Sequence, residues 1–155
     1  MIALLAMLFA TAFPATSRTS WMRPESFHLA IGMKREAVLS TLTDFGWKPQ
    51  KAKNADELIV DYTDDKSFTL HFERERLHSI RFELYTIVGQ AHEAFDEERS
   101  YLHDVFGPPK KVTPKSIVVY DDRLPNVMVV LNDDPKSDFG RKGIGVLVVR
   151  YYDPR

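Results

Sequence analysis

Five histidines and several acidic clusters are the residues of this 155-residue chain whose types could do chemistry. His92-Glu93 begins like the zinc-protease helix motif, in which a second histidine follows four residues after the first. Asp96 stands at that position here. His92 and His103 would lie about 16 Å apart along a helix rising about 1.5 Å per residue, too far to share a metal. His71 and His78 flank a short polar break, but strict alternation puts His71 on a polar strand face and His78 on an apolar one. No metal-ligand set and no cofactor is assigned. The acidic stretch from Asp133 to Asp138 lacks the alternating ligands and terminal glutamate of a calcium loop. Asp138-Phe139-Gly140 matches a protein-kinase tripeptide without the glycine-rich loop or lysine strand that would give it meaning. Gly143-Ile144-Gly145 precedes a strand and is too short for a dinucleotide fingerprint. Glu97 and Glu98 are read as solvated acids on a charged helical face, and Asp64 and Asp65 as turn residues. There is no cysteine, which removes disulfides, thiolate ligands and a cysteine nucleophile together. No catalytic residue is assigned.

Periodicity supplies the elements that would position any site. Ala37, Val38, Thr41, Leu42 and Phe45 recur at helical spacing within Lys34 to Asp44, and Gly46 and Pro49 end the helix. Three alternating segments follow, Leu58 to Tyr62, Ser67 to Glu73 and His78 to Tyr85, separated by breaks of hairpin length. Phe68, Leu70, Phe72, Ile80, Phe82 and Leu84 form one face, and Ser67, Thr69, His71, Ser79, Arg81 and Glu83 the other. A second helix, Gln90 to Phe106, is stopped by Gly107-Pro108-Pro109. Three more strands follow, at Ser116 to Tyr120, Asn126 to Leu131 and Ile144 to Tyr152. Ile59-Val60-Asp61-Tyr62-Thr63-Asp64-Asp65 and Ile117-Val118-Val119-Tyr120-Asp121-Asp122 run alike, from apolar residues into tyrosine and acids. The expected fold class is therefore α+β: two αβββ units, residues 27–86 and 90–155, sharing one antiparallel sheet with helices on one face.

The units are unequal. In the second, Met128 and Val130 oppose Val127, Val129 and Leu131, and Val146 and Val148 oppose Leu147, Val149 and Tyr151. Strands apolar on both faces are covered on both faces. The cover is either internal, such as the loop from Asn132 to Gly143, or a partner protein.

Residues 2–13 carry no charge. They are too few to span a bilayer, which takes about 20 residues, and they fit the apolar region of a secretory signal with cleavage after Ala12 or Ser17. Residues 18–26 then read as a linker, and the expected location is periplasmic or secreted. A net charge of −1 gives no general attraction to nucleic acid.

Ile31-Gly32-Met33-Lys34-Arg35-Glu36-Ala37-Val38, with Phe45-Gly46-Trp47-Lys48-Pro49 beyond it, resembles the opening of the BLIP-like domains, the group of β-lactamase inhibitor proteins and SmpA/OmlA (BamE-like) envelope proteins. The resemblance covers residues 31–85. It implies export, a helix followed by a strand meander, no catalysis, and protein binding through a sheet face or loops. The expected function is an exported protein-interaction module (an inhibitor, an immunity-type protein or an envelope-assembly accessory) with an unidentified protein partner. Its candidate contact residues are Thr69, His71, Arg81, Glu83, Tyr120, Met128, Val130 and Tyr151. The alternative is a small-molecule-binding or hydrolytic domain with a pocket under the 132–143 loop.

Overall fold

In the computed structural model of the chain, residues 17–119 and 125–155 are described; the apolar run at 2–13, the cut after Ala12 and Tyr120 lie outside them. Helix α1 spans Arg35–Asp44 and is followed by strands β1 (Gln50–Lys51), β2 (Glu57–Thr63), β3 (Lys66–Glu73) and β4 (Arg76–Ile87). Helix α2 (Val88–Phe106) opens the second half, followed by β5 (Lys111–Thr113), β6 (Ser116–Val119), β7 (Asn126–Asn132) and β8 (Ile144–Tyr152). The α+β class is therefore as the periodicity predicts. Each half carries one more strand than expected, because β1 and β5 are only two and three residues long. Strands that short show no alternation to read.

All eight strands form one antiparallel sheet in the order β1-β2-β3-β4-β8-β7-β6-β5. The last strand of each half meets the other at the centre, over nine residue pairs from Ser79↔Tyr152 to Ile87↔Ile144. The two segments with similar sequence, β2 and β6, occupy equivalent places one strand in from each edge.

One face of the sheet carries the core. Leu58, Val60, Phe68, Leu70, Phe82, Val129, Leu147, Val149 and Tyr151 join Val38 and Leu42 of α1 and Ala91, Phe95 and Leu102 of α2 in a single buried cluster. Both helices therefore pack on the same side, as the period-2 and period-3.6 patterns require. Gly145 permits the approach of α2 to β8: a Cβ there would lie 2.7 Å from the Ala91 Cβ.

The segment expected to be a linker is part of this core. Met22 is wholly buried, and Trp21 and Phe27 nearly so. Trp21 stacks on Tyr62 at 5.6 Å between centroids, and Phe27 stacks on Phe68 at 5.0 Å. The polar residues around Pro24 suggest a solvated tether; the two large apolar side chains among them, Trp21 and Met22, outweigh that, since burying such a side chain contributes about 1.5–3 kcal/mol.

Candidate functional site

The face of the sheet away from the helices brings most of the candidate residues together. In β3, Thr69 lies opposite Arg81 of β4, which lies opposite Arg150 of β8, which lies opposite Met128 of β7. The next row runs Ser67, Glu83, Val148 and Val130. Antiparallel pairing at β4–β8 thus turns two separate sets of residues, one from each half, into adjacent rows on one face. Arg81 is exposed, while Thr69, Glu83, Met128 and Val130 are half-buried. Tyr151 points the other way: it is 4% exposed and belongs to the core cluster. It is thus not available to a partner on the outer face, because its alternation partners Leu147 and Val149 face the helices.

His71 departs from strict alternation in its neighbourhood rather than its face. The β3–β4 register shifts between His71↔Ser79 and Phe72↔Leu77, leaving His78 as an extra residue. A bulge of this kind re-aims a side chain, and it brings the His78 ring to 5.9 Å from that of His71. Both imidazoles lie 3.5–3.6 Å from the Glu73 carboxylate. Hairpin alternation alone had placed them on opposite faces. Among the described residues no group of three or more His, Asp or Glu side chains is arranged to hold a metal ion.

The loop after β7 covers part of the second half's outer face. Val146 and Val148 are only 7% and 6% exposed. They floor a groove of about 440 Å³, with Arg81, Glu83 and Tyr85 on one side and Lys115, Asp133 and Phe139 on the other. Phe139 packs against Tyr85 at 5.3 Å between centroids. The internal cover is therefore real for Val146 and Val148, whereas Met128 and Val130 remain half-open. Gly140 makes the loop's path possible: a Cβ there would lie 1.8 Å from the Asp134 carbonyl oxygen.

Four of the charges lining this groove are paired within the chain. The Arg81 guanidinium binds the Glu83 carboxylate, which also accepts the Tyr85 hydroxyl proton at 2.7 Å. Burial and that carboxylate push the Tyr85 phenol up to about 12. Asp133, with a side chain 10% exposed, binds the Lys115 ammonium and lies 2.8 Å from His92 Nε2. The Lys115 ammonium, helped by His92, holds its carboxyl below the ordinary range although burial opposes this. An acid held ionised and a phenol held protonated at neutral pH bind and orient; neither is poised to transfer a proton near pH 7.

The most unusual carboxylate lies elsewhere. Glu98 is completely buried on the α2 stripe that also carries Phe95 and Leu102. Among the described residues neither of its oxygens has a hydrogen-bond partner. Burial raises its pKa to about 7. Its spacing from Phe95 and Leu102, three and four residues, is the sequence signal that marks it as core-facing. Adjacent charges on both sides obscure that signal.

No protein-family model, curated protein or solved structure matches this chain.

Proposed function

We propose that the chain is an exported, non-catalytic protein-binding module whose contact surface is the outer sheet face of β3, β4, β8 and β7. The observation that carries this reading is the helix-free pair of rows, Thr69-Arg81-Arg150-Met128 and Ser67-Glu83-Val148-Val130, running across both halves. Such a surface mixes half-buried apolar side chains with arginine, the composition that favours the centre of a non-obligate interface. Arg81 and Glu83, like Lys115 and Asp133, pair within the chain and so cancel one another's charge on this side of the sheet. The resemblance of residues 31–85 to BLIP-like domains supports the same reading, as does the signal-like run at 2–13.

A photo-crosslinking amino acid at Arg81 or Met128 is expected to trap a common partner in native cells, and the same probe at exposed Glu36 on α1 is not. Equal trapping from both sides of the sheet would sink the assignment of the face. Export is checked by N-terminal sequencing of the natural protein, where a chain still beginning at Met1 would argue against it.

A second reading rests on the groove under the 133–143 loop, whose volume suits a small ligand with an apolar body. It requires that a small molecule protect the amides of β8 and the loop from hydrogen exchange without any protein partner present.

A further inference from the structure

The buried, unpartnered carboxyl of Glu98 lies beneath residues 17–31, which cross α2 as a strap. The strap is fastened at both ends. At its start, the Glu97 carboxylate accepts from the Ser17 hydroxyl, from the Arg18 and Thr19 amides at 3.2 and 3.3 Å, and from the Thr19 hydroxyl at 3.0 Å. Arg18 also pairs with Glu93 at 2.7 Å. At its far end, Gly32 donates to the Leu77 carbonyl of β4 at 2.7 Å. Between these fastenings, Trp21 and Met22 turn into the core and the Arg23 guanidinium stacks 3.4 Å above the Tyr101 ring.

We propose that Glu98 is a proton-controlled latch, holding the strap closed while it is a neutral acid and loosening it when it ionises. The groups around it leave an ionised carboxylate poorly served. The strap contributes Thr19, Arg23 and Glu25; α2 contributes Glu97 and Tyr101; and Tyr151 of β8 lies within electrostatic range. Thr19 lies near enough to Glu98 to favour its ionised form, but its single hydroxyl proton is donated to Glu97 at 3.0 Å. Arg23 is the only cation in this set, and its charge is spread over the Tyr101 face. Glu97 and Glu25 repel a second negative charge. The Tyr151 hydroxyl and the Arg23 Nε are themselves buried without partners among the described residues. A charge in such a place is costly unless it is neutralised or exposed. Lifting residues 17–31 exposes it, together with Trp21, Met22 and the apolar stripe of α2. The latch would therefore present an apolar surface on the helix side of the sheet, independent of the proposed binding face.

Hydrogen exchange of the strap amides, corrected for intrinsic rates, reads the latch directly. The Met22 and Ser26 amides, bonded to the Thr19 and Arg23 carbonyls, are the reporters, with β3 and β4 amides as internal controls. From pH 5 to pH 8 the wild-type strap is expected to open up to about a hundredfold more often, the amount by which ionisation favours a solvated carboxyl over the buried one. In Glu98→Gln that dependence should vanish. Strap protection that stays constant with pH, or rises because Arg23 closes onto the ionised carboxylate, would overturn the proposal; so would a dependence that persists in Glu98→Gln. If that variant does not fold, the wild-type dependence alone decides.

Discussion

Glu97 and Glu98 are neighbours in sequence and opposites in environment. About 100° of helix rotation separates consecutive residues, and it places Glu97 on the rim, where it collects four donors from residues 17–19, and Glu98 beneath the strap. At Glu97 partial burial opposes ionisation, but the bonds from Ser17, Arg18 and Thr19 outweigh it and hold the carboxyl below its ordinary range. Its contribution is present above the unfolded pKa and is lost as pH falls through the lower, folded one. Glu97→Ala is expected to destabilise the chain by about 1 kcal/mol at pH 7, and a urea titration at pH 7 against one at pH 3 checks it, the difference shrinking in acid. Glu98 has the opposite sign. Its folded pKa of about 7 lies above the unfolded value, so the penalty is absent at pH 4, grows as pH rises toward 7 and is constant above that. Glu98→Gln should therefore stabilise the chain at pH 8 by about 1–2 kcal/mol, less than the full linkage value because a buried amide also goes unpaired, and change little at pH 4. The adjacent acids were read from sequence as solvent-facing on both counts. Only the position of the strap distinguishes them, and nothing in the local sequence encodes what lies above a helix.

At the scale of elements, the loop between β7 and β8 decides how much of the outer face is open. Its fastening at Asp133 ties β7 to Lys115 in the β5–β6 turn and to His92 on α2. Gly140 lets the loop double back against the Asp134 carbonyl, where any side chain would collide with backbone. Gly140→Ala is expected to displace the loop and uncover Val146 and Val148, raising binding of an apolar fluorescent dye while the far-UV circular dichroism of the sheet stays unchanged. Unaltered dye binding would mean that the loop is not their main cover. The helices and six longer strands are legible in the sequence because each repeats its period several times. The two short edge strands and the His71–His78 bulge are not, since two or three residues carry no period and an inserted residue breaks the rule used to read the others.

For the whole molecule the β4–β8 seam matters most. It joins the halves through nine residue pairs and lets one core run beneath both. Unfolding should therefore be a single transition, as in most single domains of this size. Both tryptophans, Trp21 and Trp47, pack against Tyr62 of β2, so their fluorescence reports the first half and the strap. Leu147→Ala, a completely buried change in β8, should cost about 2–5 kcal/mol and move the fluorescence and circular-dichroism midpoints together. Separate midpoints would show that the halves fold independently. The same seam assembles the candidate surface, since Thr69 and Met128 come to lie in one row only through Arg81 and Arg150.

The sequence by itself determined the α+β class, the two similar halves, the antiparallel meanders, and which side chains of each strand share a face. Those are consequences of local period, and hydrophobic burial enforces them wherever the segment ends up. Tertiary structure decided the rest: that Trp21 and Met22 anchor residues 18–26 in the core, that Tyr151 faces inward to the helices, that the loop shields Val146 and Val148, and that Glu98 is buried without a partner among the described residues. Each depends on which segments meet across long sequence separations. The most perturbed carboxyl, Glu98, stands among the acids first considered for chemistry, where its neighbours make it read as solvated. That group was hidden in an acidic pair, where local pattern suggests only solvation and the neighbouring strap supplies the physics.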